Sequence, residues 1–244
     1  MNLLMIWKLE VSNLIIVESA NDKYFVEAFI EKLNLNNIEV GQPICNIYDF
    51  NCLGGIGHLK ARLNVLEFDN YNKIGIILDA DEVGIEKRIE LINESLKSVC
   101  NDVQIDKINH LYRSEALDLE IACYITNVTG KGELETVMKE IKSEDSTYAD
   151  CLNAWRDCLE SKDITIKDKE FDKIWVSHYL KYDTCLGKDK KQKSKKCSNE
   201  LINNTENTEE IENNLKSNDF TIKKDIWDFN HSALSELKKF LQLF

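Results

Sequence analysis

Two rhythms alternate along the chain. Leu14–Val17 (LIIV) is a short run rich in β-branched residues and reads as a buried strand. Asn21 and Asp22 supply capping chemistry behind it, and Tyr24, Phe25, Ala28, Phe29 and Leu33 then recur at helical spacing. A second strand is expected around Ile44–Phe50, ending in Gly54-Gly55 with Gly57 close behind, and a helix from near His58. Ile74–Leu78 (IGIIL) is the clearest buried strand and stops at Asp79-Ala80-Asp81. Ile85, Ile89, Ile92, Leu96 and Val99 step by 4, 3, 4 and 3, which marks an amphipathic helix. Leu119–Thr126 reads as another strand. A loop with Gly130 and Gly132 follows, and Leu134, Val137, Met138 and Ile141 mark the next helix. Strands alternating with helices predict βαβ units and a mainly parallel sheet.

The second half is less regular. Residues 143–186 read as polar and helical, with Trp155, Leu159, Trp175 and Tyr179 as packing residues. Lys188–Lys196 holds six lysines in nine residues, and residues 198–219 are rich in Asn and Glu. Together they predict a mobile insertion over about 187–219. Trp227, Leu234, Leu237, Leu241 and Phe244 then describe a C-terminal helix packing back on the core. The expected organisation is a catalytic α/β core over 1–142 and a helical elaboration over 143–244.

Length and charge narrow the functions this pattern can carry. The 244 residues suit one large α/β domain, or one domain with a small lobe. A net charge of −12 makes diffuse binding to nucleic acid poor, because phosphate affinity is mostly Lys/Arg charge. Contact with nucleic acid then needs a local basic patch or metal ions. The eight cysteines show no CxxC spacing and the four histidines no paired-ligand spacing, which argues against zinc. No run approaches the roughly 20 apolar residues of a membrane helix. Lys8 and Glu10 break the apolar start, so no signal peptide is expected, and the cysteine usage fits a reducing cytoplasm. There is no GxxxxGK[ST] phosphate loop.

The candidate chemistry lies in carboxylates at strand ends, where parallel α/β sheets bind ligands. Glu18 closes the first strand, Asp79 and Asp81 the central one, and Glu133 and Glu135 follow the loop after Thr126. Residues i and i+2 of a strand share a face, so Asp79 and Asp81 are expected to present two carboxylates to one ion. Hard oxygen ligands without His or Cys suit Mg²⁺ or Mn²⁺, and such clusters hold two ions in many phosphodiester-cleaving sites. Lys131, between two glycines, and Lys190 and Lys191 of the basic run are candidates for phosphate contact, as is the Gly54-Gly55 turn.

These residues resemble a family. Val17-Glu18 followed by Asp22 and a helix resembles the first motif of Toprim domains, the glycine pair before the second helix fits, and IGIILDAD resembles their DxD motif. GKGELE (Gly130–Glu135) resembles the third acidic motif of a Toprim-like group of small proteins, itself similar to the nuclease half of overcoming-lysogenisation-defect (OLD) proteins. Trp227–Leu241 resembles that group's ending. The resemblance runs from about residue 12 to 142, with an echo at the C-terminus. One departure is Ser19, where Toprim domains usually carry glycine. The resemblance implies a Toprim fold of about four mainly parallel strands between helices and a site holding two Mg²⁺ or Mn²⁺ ions. Glu18 would be a general acid/base or metal-linked carboxylate, Asp79 and Asp81 metal ligands with a catalytic role, Glu135 with Glu133 the second-site ligands, and Asp22 a supporting residue behind them. It implies a nuclease or related phosphodiester enzyme acting on DNA or RNA. By analogy with OLD proteins it also implies phage defence or nucleic-acid processing, with room for a separate ATPase or other protein partner and for oligomers.

Two other readings of the same residues stay open. Asp79-Ala80-Asp81-Glu82-Val83 satisfies DxDx[TV], in which the first Asp of a haloacid-dehalogenase-like phosphohydrolase is the nucleophile. That reading makes Glu18 dispensable. A non-enzymatic Toprim-like module that binds metal, nucleotide or protein is the other.

Overall fold

A computed structural model describes residues 12–41, 57–184 and 226–244. The expected strand at Ile44–Phe50, Gly54, Gly55, Lys190, Lys191 and the rest of the 187–219 insertion lie outside these residues. The described chain is an α/β fold with one five-stranded sheet. Its strands are β1 (Ser12–Ile16), β2 (Ile38–Val40), β3 (Tyr71–Asp79), β4 (Tyr112–Ser114) and β5 (Leu119–Thr126), in the order β2-β1-β3-β5-β4. Every pairing is parallel except β4 with β5. The short strands β2 and β4 sit at the two edges and were not expected from the sequence. Three residues are too few to show alternation, and edge strands need no continuous apolar run.

The strands β1, β3 and β5 divide their side chains between two layers. Ile15, Val17, Ile77, Ala122 and Tyr124 face α1 (Ala20–Leu33), α4 (Leu134–Glu140), α7 (Asp168–His178) and α8 (Ser235–Leu241). Leu14, Ile16, Ile74, Ile76, Leu78, Ile121, Cys123 and Ile125 face α2 (Gly57–Asn64) and α3 (Ile85–Leu96). Apolar residues cover both faces, as a parallel sheet requires. Asp79, two residues beyond Ile77, continues the α1/α7 side.

Between α4 and α7 lie α5 (Thr147–Asp150) and α6 (Leu152–Glu160). Trp175 and Tyr179 are buried and stacked, with ring centroids 5.3 Å apart, and Trp227 is buried beside them. Trp155 differs from expectation: it is 40% exposed, and α6 has no buried residue. An apolar period shows that one side of a helix is greasy. It does not show that another element covers that side.

Paired backbone bonds tie the C-terminal segment to the chain just after α4, Asp228 N–H to Ile141 O (2.7 Å) and Ser143 N–H to Ile226 O (3.0 Å). α8 then crosses the α1/α7 face over Gly75 and Ala122, which are register partners on β3 and β5. The side chains of Asn13 and Lys73 donate to the main-chain oxygens of Phe244 and Leu243. Gly75 leaves the room for this contact. A Cβ there would lie 2.6 Å from Ile15 Cδ1 and 2.8 Å from the rings of both Phe240 and Phe244. Gly75→Ala is therefore expected to force α8 off the sheet at a cost of about 1–3 kcal/mol, typical of overpacking. A urea denaturation midpoint equal to that of wild type would contradict it.

Candidate functional site

The parallel strands deliver their C-terminal ends to one edge. β1 ends at Ile16 and leads through Val17 to Glu18, and β3 ends at Asp79. Beside it, β5 ends at Thr126, the register partner of Asp79. The β5–α4 loop then comes back over the edge. Asp81 and Gly132 exchange two backbone hydrogen bonds (2.8 and 3.0 Å), and Ala80 N–H donates to Thr126 O at 2.9 Å. These bonds fix the start of α4, with Glu133 and Glu135, beside the end of β3. Gly132 has φ +99°, and a Cβ there would meet Thr136 at 2.9–3.1 Å, so glycine is required both for the turn and for the approach to α4.

Each carboxylate has a distinct setting. Glu18 is half-buried, and its Oε2 accepts a hydrogen bond from the Asp79 N–H at 3.3 Å. Asp79 Oδ1 is shut off from solvent and has no hydrogen-bond partner among the described residues. Burial, and then the charges of Asp22, Glu18, Glu135 and Glu133, push the Asp79 pKa well above the usual carboxylate range. Asp22 is buried, and burial is also the main reason its pKa rises to about 6. Hydrogen bonds from Ser19 hold that pKa down, while Glu18 and Glu133 add to the rise.

Ser19, not Asn21 or Asp22, caps α1. The Asp22 N–H donates to Ser19 Oγ (3.3 Å), while the Ser19 N–H and hydroxyl donate to Asp22 Oδ2 at 2.9 and 2.6 Å. This is a capping box with Asp in the third position. Ser19 has φ −128° and ψ 169°, extended backbone that any residue adopts.

Asp81 does not share a face with Asp79. It lies beyond the strand with φ +46°, so the period-two alternation has ended. Its Oδ1 accepts from Lys169 Nζ at 2.7 Å and its Oδ2 from the nearly buried Arg88 guanidinium of α3. Nor does Asp81 cap the helix after it, for Gly84 takes that position.

Glu133 is 2% exposed. Its Oε2 lies 3.0 Å from Lys169 Nζ and 3.3 Å from Lys173 Nζ, whereas its Oε1 is buried without a hydrogen-bond partner among the described residues. Burial and then Glu135 raise its pKa, against the pull of Lys173 and Lys169. Burial likewise raises that of Glu135, opposed mainly by Lys173. Burial works against the Lys169 ammonium, but its bonds to Asp81 and Glu133 keep its pKa above that of an ordinary lysine. Lys131 is exposed and 3.8 Å from Glu82. It lines an open cleft of about 370 Å³ with Asp81, Glu133, Arg156 and Lys169.

The structure thus brings Glu18, Asp22, Asp79, Glu133 and Glu135 into one electrostatically coupled group and holds Asp81 at its border between two cations. Among the described residues no three Asp, Glu, His or Cys side chains are arranged to hold a metal ion. The group nevertheless offers only oxygen donors, two of them buried and unpartnered, so its chemistry fits a hard divalent cation. Side-chain rotations would have to bring those donors to one point.

A family model described as protein of unknown function (DUF3226) matches residues 12–244. The chain belongs to the DUF3226 family. No curated protein and no solved structure matches it.

In this DUF3226 chain the sequence reading missed the cations. Lys169 and Lys173 come from the helical half, roughly 90 and 40 residues from their acidic partners. Two lysines four apart on a polar helix face look like any solvated face. Arg88 has a weak signal: it adjoins Ile89 and Ile92 on the buried side of α3, where an unpaired charge is costly.

A pH dependence follows from Asp22. Its folded-state pKa of about 6 exceeds the ordinary aspartate value of 3.8. The neutral acid therefore contributes stability that is full below about pH 4 and is lost as pH rises through 6. Asn resembles the neutral acid. In metal-free buffer, Asp22→Asn is expected to gain on wild type between pH 4 and pH 8, by about 2–3 kcal/mol. Thermal unfolding across that range measures it, and parallel curves for the two proteins would contradict it.

Proposed function

We propose that this chain is a Toprim-type phosphodiester hydrolase that uses Mg²⁺ or Mn²⁺ to cut DNA or RNA. The observation that carries the reading is the buried carboxylate group at the C-terminal edge of the parallel sheet, in which Asp79 Oδ1 and Glu133 Oε1 have no hydrogen-bond partner among the described residues. Buried carboxylate oxygens without donors are costly. A divalent cation held by Asp79, Glu18, Glu133 and Glu135 would satisfy them, as protons do at low pH. The motif order Glu18, Asp79-Ala80-Asp81 and Glu133/Glu135 supports the Toprim assignment.

When bound, such an ion supplies Lewis acidity toward a phosphoryl oxygen and an acidified water. The chain supplies the rest. Glu18 keeps Oε1 free of its bond to the Asp79 N–H and is placed to take a proton from an attacking water. Asp22, tied to Ser19, backs Glu18 and Asp79. Lys131, on the exposed loop beside the cleft, adds to the positive charge that Arg156 and Lys169 offer a phosphate there, the local basic patch that a chain of net charge −12 needs. A role in phage defence or nucleic-acid processing, with an ATPase or other protein as partner, belongs to the same reading by analogy with OLD proteins.

The test is cleavage of supercoiled plasmid, linear DNA and structured RNA with Mg²⁺ or Mn²⁺. Wild type is expected to cut at least one of them. Glu18→Gln and Asp79→Asn should each lower the rate about 100-fold or more, the scale of a lost acid–base group. Either metal should also raise the melting temperature of wild type, and less that of Asp79→Asn. Cutting that survives both substitutions would overturn the reading. A melting shift without cutting would favour a metal-binding module. Hydrolysis of a small phosphate ester that needs Asp79 and not Glu18 would favour a haloacid-dehalogenase-like enzyme.

A further inference from the structure

The carboxylates of the site fall into two settings. On the Asp79 side are Glu18, Asp22 and Glu135, with Asp79 Oδ1 buried and unpartnered. On the other side Asp81 has both oxygens engaged, one by Arg88 and one by Lys169. Glu133 stands between them. Its Oε2 takes the two α7 ammonium groups at 3.0 and 3.3 Å and its buried Oε1 takes none.

Lys169 Nζ therefore bridges two carboxylates, at 2.7 Å from Asp81 Oδ1 and 3.0 Å from Glu133 Oε2, much as a bridging metal ion would. The frame around it is fixed. The mutual backbone bonds of Asp81 and Gly132 tie the two acidic loops together, and Arg88, with its side chain only 6% exposed, holds the far oxygen of Asp81. A divalent ion at that position would have to expel an ammonium held by two carboxylates. It would then sit beside Arg88 and Lys173, where like charge disfavours it.

We infer that the site takes one divalent cation, on the Asp79 side with the free oxygen of Glu133, and that the Lys169 ammonium fills the place of a second. This rests on the divalent-cation reading above and puts one ion where the Toprim resemblance implies two. A lysine in that place carries charge and hydrogen-bond donors but no Lewis acidity, so it can hold a phosphate oxygen and cannot activate water. Asp81 is then a positioning residue, which holds Lys169 rather than metal.

Titration of the full chain with Mn²⁺ tests this, with calorimetry and electron paramagnetic resonance counting bound ions. Wild type is expected to bind one Mn²⁺. Lys169→Met should bind two, the pair giving an exchange-coupled spectrum, and Lys169→Gln serves equally if the Met variant does not fold. Lys131→Ala, which lines the same cleft without touching Asp81 or Glu133, should stay at one. Two ions in wild type would overturn the inference, as would a single ion in a folded Lys169 variant. If neither wild type nor any variant binds Mn²⁺, the divalent-cation reading itself fails and this inference goes with it.

Discussion

Negative charge held out of water at one edge of a parallel sheet is the constraint to which the rest of this structure responds. Parallel strands all end on the same side, so topology brings Glu18 after β1 to Asp79 on β3, and the backbone bonds between Asp81 and Gly132 bring Glu133 at the start of α4 beside them. Two carboxylates about 4 Å apart repel by about 4 kcal/mol at an effective dielectric constant of 20. Such repulsion is a large share of the stability of a domain. Several features answer it. Protons are retained more tightly on Asp79 and Asp22. Backbone and hydroxyl donors from Ser19 take one oxygen of Asp22. Arg88, Lys169 and Lys173 take Asp81 and one oxygen of Glu133. Among the described residues two buried carboxylate oxygens, Asp79 Oδ1 and Glu133 Oε1, remain unsatisfied.

The helical half is part of this answer rather than an appendage. Phe171, Trp175 and Val176 bury one side of α7 in the core, beside Val137 and Met138 of α4. Asp172 pairs with Lys139 of α4 at 3.0 Å. With that side fixed, the first two turns of α7 can only carry Lys169 and Lys173, four apart and so neighbours on one face, across the start of α4. Apolar packing thus sets the position of two charges, and those charges set which carboxylate oxygens stay free. Loss of packing at Trp175, whose indole N–H donates to Asp150 outside the acidic group, would reach that group through the lysines.

How much of this the sequence made legible depended on periodicity. The runs Leu14–Val17, Ile74–Leu78 and Leu119–Thr126 announce β1, β3 and β5, because strands buried on both faces read as near-continuous apolar stretches, broken in the third only by Glu120 before its polar end at Thr126. The 4, 3, 4, 3 steps from Ile85 announce α3. Ile38–Val40 and Tyr112–Ser114 are too short to announce anything, and the antiparallel β4 is set by its tertiary partner β5. Glu18, Asp79, Glu133 and Glu135 stood out as acids at strand ends, and the structure groups them. Asp81 misled, because the i, i+2 rule holds only while the strand lasts and its φ of +46° lies outside it. Lys169, Lys173 and Arg88 were hidden. Ion pairs between distant segments leave no local spacing.

Ser19 joins the local and the global levels. On the Toprim reading a glycine is usual at this position, and a glycine would suggest a turn that only glycine can make. Here the backbone at 19 is extended, so no such turn exists and serine costs nothing conformationally. What serine adds is a side-chain N-cap for α1 and a hydroxyl donor to Asp22 Oδ2, beside the backbone N–H that already donates there. Glycine would keep the backbone donor and lose the hydroxyl. Asp22 would then hold an oxygen less well satisfied, beside Glu18 and Asp79, in a group already short of positive charge. The residue that departs from the motif thus quiets one carboxylate of the site, and among the described residues Asp79 Oδ1 and Glu133 Oε1 are left as the carboxylate oxygens still to satisfy.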